Sequence, residues 1–277
     1  MQCIIPLCVF LFSLASIKAD IGKIPEKDFT KIKSFFAHLI HQHDFAYAIF
    51  GSKPMSLADI CLRVPNLPIY QQLKIKFLLI NIKENLNTWY KYKDRFNLKD
   101  FVLLDKEEDL CRSVVIVLIN KKNMLSVLKE HKEIFKQELG DTFTPESFLE
   151  KIETRELSLA KSINHHYGLL GIMLGYGARN AMLFQERLNV LKEMEKSKSR
   201  LSLRDDLEQK LLELDSQCQE FSEFEEFPLV RPLYFRADLS HPETIELKKR
   251  YENDRQKIAE LMQKPNFIEK ALERLVQ

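Results

Sequence analysis

Lys53, Tyr176, Arg179 and Asn180 are the side chains of this sequence best placed to hold a ligand, because each lies in or beside a glycine-broken stretch. The main stretch is residues 165–187, HHYGLLGIMLGYGARNAMLFQER. It carries Gly168, Gly171, Gly175 and Gly177, four of the seven glycines in the chain. If Gly175-Tyr176-Gly177 breaks a helix beside a pocket, Arg179 and Asn180 face an anionic or amide ligand at the new helix start. The competing reading is one unbroken helix, with Asn164, Gly168, Gly171, Gly175, Ala178 and Met182 along a single face. Each interior glycine then costs about 1 kcal/mol relative to alanine. Close approach of another backbone, a bulky aromatic or a ligand would offset that cost. No Lys-Ser or Lys-Thr pair follows the glycines, and no dinucleotide fingerprint is completed, so this is no ordinary phosphate loop.

A second stretch, FAYAIFGSKPMS at residues 45–56, offers Lys53 in a Gly-Ser-Lys-Pro turn that can meet an anion through backbone and ammonium. The plain alternative is a loop, with Ser56 capping a short helix that has Asp59 three residues on. The binding set is therefore Gly175, Tyr176, Gly177, Arg179, Asn180 and Lys53, with residues 51–54 brought near the Gly-rich segment.

Catalytic and metal chemistry have weaker signatures. His165 and His166 lie just before the glycines, and adjacent histidines point to different faces, so at most one can join a pocket. A general base needs a nucleophile or water and an orienting carboxylate, and no carboxylate can be nominated from the sequence. His38, His41 and His43 precede Asp44, but His43 leaves the face shared by His38 and His41. A solvated or capping role is the default there, and no residue is assigned as a catalytic group or metal ligand. No cofactor is expected.

These side chains must be positioned by a mostly helical body. The chain has 277 residues, 45% hydrophobic and 30% charged, with a net charge of +2. That is ample for a core and ordinary for a globular domain. A balance of 42 basic against 40 acidic residues gives no reason to expect bulk nucleic-acid binding. Apolar periodicity predicts helices over residues 25–42, 70–99, 124–139 and from Thr144 towards residue 197, with a break near Thr154. Thr144-Pro145-Glu146 is a helix start, with cap residue, proline and acid in sequence. Further helices are expected over 200–224 and from Pro242, and LVRPLYFRAD reads as an extended or edge segment. FVLLD at 101–105 and SVVIVLIN at 113–120 change to strand character and predict an antiparallel pair, the second well buried. The fold class is α+β: a predominantly helical single domain with a small antiparallel sheet.

Residues 1–19 read as an export signal, with an apolar run, Ala19 before the cut and Asp20 opening the mature domain, 20–277. The n-region lacks Lys and Arg, and an uncleaved N-terminal anchor is the alternative. Cys61, Cys111 and Cys218 form neither a disulfide framework nor a zinc pattern. Residues 70–99 set Lys74, Lys76, Lys83, Lys91, Lys93, Arg95 and Lys99 against Glu84 and Asp94, with Trp89, Tyr90, Tyr92 and Phe96 interleaved. In an exported protein such a region meets an anionic membrane surface or an acidic partner, or is simply a solvated helix with its aromatics in the core.

Several patches together, FAYAIFGSKPMS, INKKNMLSVLKEH, TPESFLEKI, LLGIMLGYGARNAMLFQER and ETIELKKRYENDRQKI, resemble uncharacterised exported proteins of Chlamydia-related bacteria. The F-G-x-K-P-M turn and the Leu-Gly-Tyr-Gly-x-x-Asn-Ala stretch carry the likeness. It implies a periplasmic or secreted, envelope-associated protein and lends no activity. The expected function is a non-enzymatic protein binding a small ligand or an envelope protein at the Gly-rich helix. The alternatives are an envelope hydrolase using His165 or His166, and a structural protein contacting anionic membrane.

Overall fold

A computed structural model describes residues 22–61, 68–108, 113–156, 158–196, 201–222 and 230–276. The segment 1–19 that reads as an export signal, Cys111 and residues 223–226 lie outside these residues.

The chain opens with helix α1 (Glu26–Gln42), which buries Ile32, Phe35, Phe36, Leu39 and Ile40, and a short α2 (Phe45–Phe50). Strand β1 (Met55–Cys61) follows, then α3 (Ile69–Tyr92), β2 (Phe101–Glu108) and β3 (Ser113–Asn120). The three strands form an antiparallel sheet in the order β1-β3-β2, so the most apolar strand, SVVIVLIN, takes the centre. The expected β2–β3 pair is present and β2 runs on to Glu108. The first strand corrects the sequence reading of residues 55–61. Ser56 caps no helix: it is buried, and its hydroxyl donates to Asp44 O at 3.0 Å. Alternation favours the strand, since Ala58 and Ile60 are buried while Asp59 and Cys61 face out.

Both faces of the sheet are apolar because helices pack on both. Ala58, Ile60, Phe101, Val114, Ile116 and Leu118 join the core made by α1, α2, α3 and the C-terminal helices α11 (Pro242–Met262) and α12 (Phe267–Val276). Met55, Val102, Val117 and Ile119 face the opposite core. That second core comprises α4 (Lys121–Glu130), α5 (Lys132–Leu139), α6 (Pro145–Glu153), a single turn α7 (Leu159–Ser162), and α8 (Tyr167–Met173). Thr144 caps α6 as its sequence predicts, accepting from Ser147 N at 3.3 Å. Gly140 ends α5 at φ +99°.

The Gly-rich stretch is broken, not continuous. It forms α8 and α9 (Ala178–Lys196), joined by a turn in which Gly175 and Gly177 have φ of +79° and +84°. The two helices fold against each other, and this hairpin needs the earlier glycines. A Cβ on Gly171 would sit 2.8 Å from Ala181 Cβ, and one on Gly168 would sit 2.9 Å from Met182 Sδ. Helix α10 (Leu201–Gln217) packs on α9 and ends sooner than its sequence suggests. Gln219–Ser222 is instead a strand, β4, paired antiparallel with β5 (Tyr234–Ala237). The extended reading of LVRPLYFRAD holds for its described part. No helix among the described residues is long and apolar enough to cross a membrane.

Candidate functional site

The structure brings Lys53 and the Gly175–Asn180 turn together, around a buried ammonium. Lys53 is fully buried, and its Nζ donates to Met55 O at 2.7 Å and Leu174 O at 2.6 Å. Asp44 Oδ2 lies 3.1 Å away, and the Tyr176 ring centroid 5.1 Å away. Burial pushes the Lys53 pKa down, and the Asp44 carboxylate opposes that shift. The turn that carries Lys53 is pinned from several sides. Ser52 donates through N and Oγ to Asp254 Oδ2 at 2.7 and 2.6 Å, and Asn123 Nδ2 reaches Gly51 O at 3.1 Å. Gly51 is required because a Cβ there would lie 2.7 Å from Asp254 Oδ2.

The polar groups of the Gly-rich turn are taken up by α11. Tyr251 Oη donates to Gly175 O at 2.6 Å, and a side chain on Gly175 would collide with that hydroxyl. Glu243 accepts from Ala178 N at 2.7 Å and Arg179 N at 2.9 Å, so the anion at the start of α9 is the protein's own. Asn180 is 2% exposed; its amide donates to Tyr176 O and Thr244 Oγ1, and its Oδ1 accepts from Asp238 N. Arg179 turns to the surface, where Nη2 donates to Gln217 Oε1 at 3.1 Å. Tyr176 stacks on Phe235, centroids 4.4 Å apart, and burial raises its pKa, keeping the phenol neutral. The predicted binding set is thus gathered at the junction of residues 51–54, α8, α9 and α11, with its donors and acceptors largely engaged within the chain.

A larger opening lies next to it, on the face of the sheet that the helices leave partly uncovered. The in-register row Met55–Ile119–Val102 is buried under helices. The next row, Leu57–Val117–Leu104, floors a cavity of about 380 Å³ with Val115 beside it. Its roof is Ile152, Leu159, Ile163 and Leu170, because only the single turn α7 bridges α6 and α8 here. Tyr167 and Leu170, both from the Gly-rich stretch, complete one wall. Sequence reasoning missed this site: without β1 there was no row at Leu57 to act as floor.

Polar groups enter at the rim. Arg155 Nη2 donates to Leu103 O at 3.3 Å and Asp105 Oδ1 at 3.1 Å, and Lys93 Nζ lies 3.5 Å from Asp105 Oδ2. Ser158 and His165 also line the cavity. Among the described residues, the non-glycine positions with positive φ are Arg155 (59°), Asn164 (51°) and His165 (56°). Two of them are rim residues and the third is their neighbour.

The two candidate general bases separate. His166 Nδ1 accepts from Leu169 N at 3.1 Å, capping α8, and its Nε2 is 3.5 Å from Glu138 Oε2. His165 lines the cavity with Ser158 and Asp105, yet among the described residues no hydrogen bond links it to either side chain. His38 and His43 have ring centroids 5.6 Å apart, and no group of three His, Cys, Asp or Glu among the described residues is arranged to hold a metal. Burial, with His38 and Arg231 close by, lowers the His43 pKa to about 4 despite Asp44 and Asp59. In the basic helix region Trp89, Tyr92 and Phe96 are buried, Lys91 pairs with Asp28 at 3.2 Å, and Lys93 pairs with Asp105.

Comparison with protein-family models, with curated proteins and with solved structures finds no match to this chain.

Proposed function

We propose that this protein is a non-enzymatic, exported binding protein of the bacterial envelope that holds a small, largely apolar ligand between its sheet and its Gly-rich segment. The observation that carries this reading is the cavity of about 380 Å³ over Leu57, Val117 and Leu104. Its size falls in the range of small-molecule sites, which are concave, mostly apolar and supplied with a few polar groups. The Gly-rich hairpin contributes Tyr167 and Leu170 to the wall. Lys53 ties that hairpin to the turn before β1 and Glu243 ties it to α11, which holds the wall in place. Export rests on the apolar segment at 1–19 and on the resemblance stated above.

The test is binding of N-phenyl-1-naphthylamine, a neutral apolar dye that brightens out of water. We expect saturable binding that Leu170→Trp abolishes by filling the cavity and Ala160→Trp weakens by narrowing its rim. Arg179→Ala should leave it unchanged, because Arg179 does not line the cavity. Dye binding that survives Leu170→Trp but is lost in Arg179→Ala would move the site to the start of α9 and overturn this assignment.

A further inference from the structure

We infer that the ligand of this cavity is a single-chain amphiphile with a terminal carboxylate, its chain lying on the Leu57–Val117–Leu104 row and its head held by Arg155. This rests on the binding reading above and adds the ligand's class.

The charge at the rim carries the argument. Asp105 is the carboxylate bonded to Arg155, and Lys93 approaches the same carboxylate from its other oxygen. Two cations thus meet one anion in this cluster. The bonds that Arg155 makes use Nη2 alone, and its side chain is 53% exposed. A guanidinium carries five N–H donors in a planar fork, and the Nε and Nη1 donors of Arg155 are left to make charge-assisted bonds to a carboxylate. Asp105 meanwhile stays neutralised by Lys93. A neutral alcohol would forgo the ionic part of this contact, and a quaternary ammonium would be repelled.

The backbone shapes the same place. Arg155 and His165, which both line this cavity, hold left-handed conformations. At Arg155 this conformation closes α6, with Arg155 N donating to Ile152 O at 3.2 Å and Glu156 N to Lys151 O at 3.1 Å. It also swings the side chain back over the β2 edge to Leu103 and Asp105.

The experiment compares decanoate, decanol and decyltrimethylammonium, below their micelle concentrations, as competitors of the bound dye in wild type, Arg155→Ala and Leu170→Trp. Decanoate should compete at least about tenfold more strongly than decanol, with the cationic amphiphile weakest. Arg155→Ala should bring decanoate to the level of decanol while decanol changes less than about twofold, and high salt should narrow the gap in wild type. Equal competition by decanoate and decanol in wild type, both lost in Leu170→Trp, would overturn the carboxylate assignment and leave the cavity reading standing. Failure of all three compounds, with dye binding untouched by Leu170→Trp, would overturn both.

Discussion

Glu243 on α11 caps helix α9 at Ala178, its Oε1 accepting from Ala178 N at 2.7 Å and its Oε2 from Arg179 N at 2.9 Å. The residue just before that helix is Gly177, which has no side chain to do this. A Cβ on Gly177 would in fact lie 2.9 Å from Glu243 Cδ, so the glycine and the distant carboxylate require each other. The negative charge also meets the positive end of the helix dipole. Glu243→Ala should therefore lower stability by about 1–2 kcal/mol, in the range of a lost N-cap, and Glu243→Gln by less. Urea unfolding checks this. Equal stability for Glu243→Ala and wild type would mean that the cap contributes nothing.

Lys53 and Asp44 make a stronger case, because the ammonium has no access to solvent. Lys53→Ala would leave Asp44 partly buried without its cation and would unpair Met55 O and Leu174 O. Breaking one side of a buried ion pair costs about 3–5 kcal/mol. The double variant Asp44→Asn with Lys53→Met should cost clearly less than the sum of its single changes, since no lone charge remains. Additive losses would show that the ion pair itself is not what the turn depends on.

His43 gives the fold a distinct acid sensitivity. Its pKa is lowered from 6.5 to about 4, chiefly by burial, with His38 and Arg231 adding to the shift and Asp44 and Asp59 opposing it. Between those two values the unfolded chain binds the proton and the folded chain does not. Stability from this group is complete above pH 6.5 and falls as pH drops towards 4. His38, also lowered by burial, acts in the same direction. The carboxylates Asp28 and Asp215, held low by hydrogen bonds, lose their contributions only at more acid pH. Thermal midpoints should therefore decline from pH 6.5 to 5 in wild type and decline less in His43→Gln. Parallel slopes in the two proteins would assign the acid sensitivity elsewhere.

Local signals in the sequence were enough for α1, α3, α6 and the β2–β3 pair, but not for α2 or for where α10 ends. Thr144-Pro145 starts a helix on its own, and SVVIVLIN is too rich in β-branched residues, too short and too apolar to be anything but a buried strand. Residues 51–54 and the Gly-rich turn were also legible as neighbours. What the sequence concealed is long-range. MSLADIC looks polar enough for a loop until β3 pairs with it, and that strand supplies Leu57 to the cavity floor. The partner of the α9 start was equally hidden: an Arg-Asn pair after glycines suggests an external anion, and Glu243 fills that role from far along the chain. The cavity itself comes from what α7 lacks, since a single turn leaves the row at Val117 uncovered.

The strained rim offers a test that separates stability from function. His165 has φ +56° and, among the described residues, no hydrogen bond from its side chain, while its backbone N donates to Ala160 O at 2.8 Å. Glycine reaches that conformation without steric cost, whereas an L residue there is disfavoured by about 1–2 kcal/mol. The greater freedom of glycine in the unfolded chain offsets part of the gain. His165→Gly should therefore raise stability by about 0.5–1 kcal/mol. Asn164→Gly, at φ +51°, should gain less, because asparagine already tolerates the left-handed region. If His165 also helps shape the rim, the stabilised His165→Gly protein should bind dye or decanoate more weakly. That exchange of stability for binding would mark the strain as retained for the ligand. A variant that is both more stable and unimpaired in binding would assign the left-handed turn to chain reversal alone.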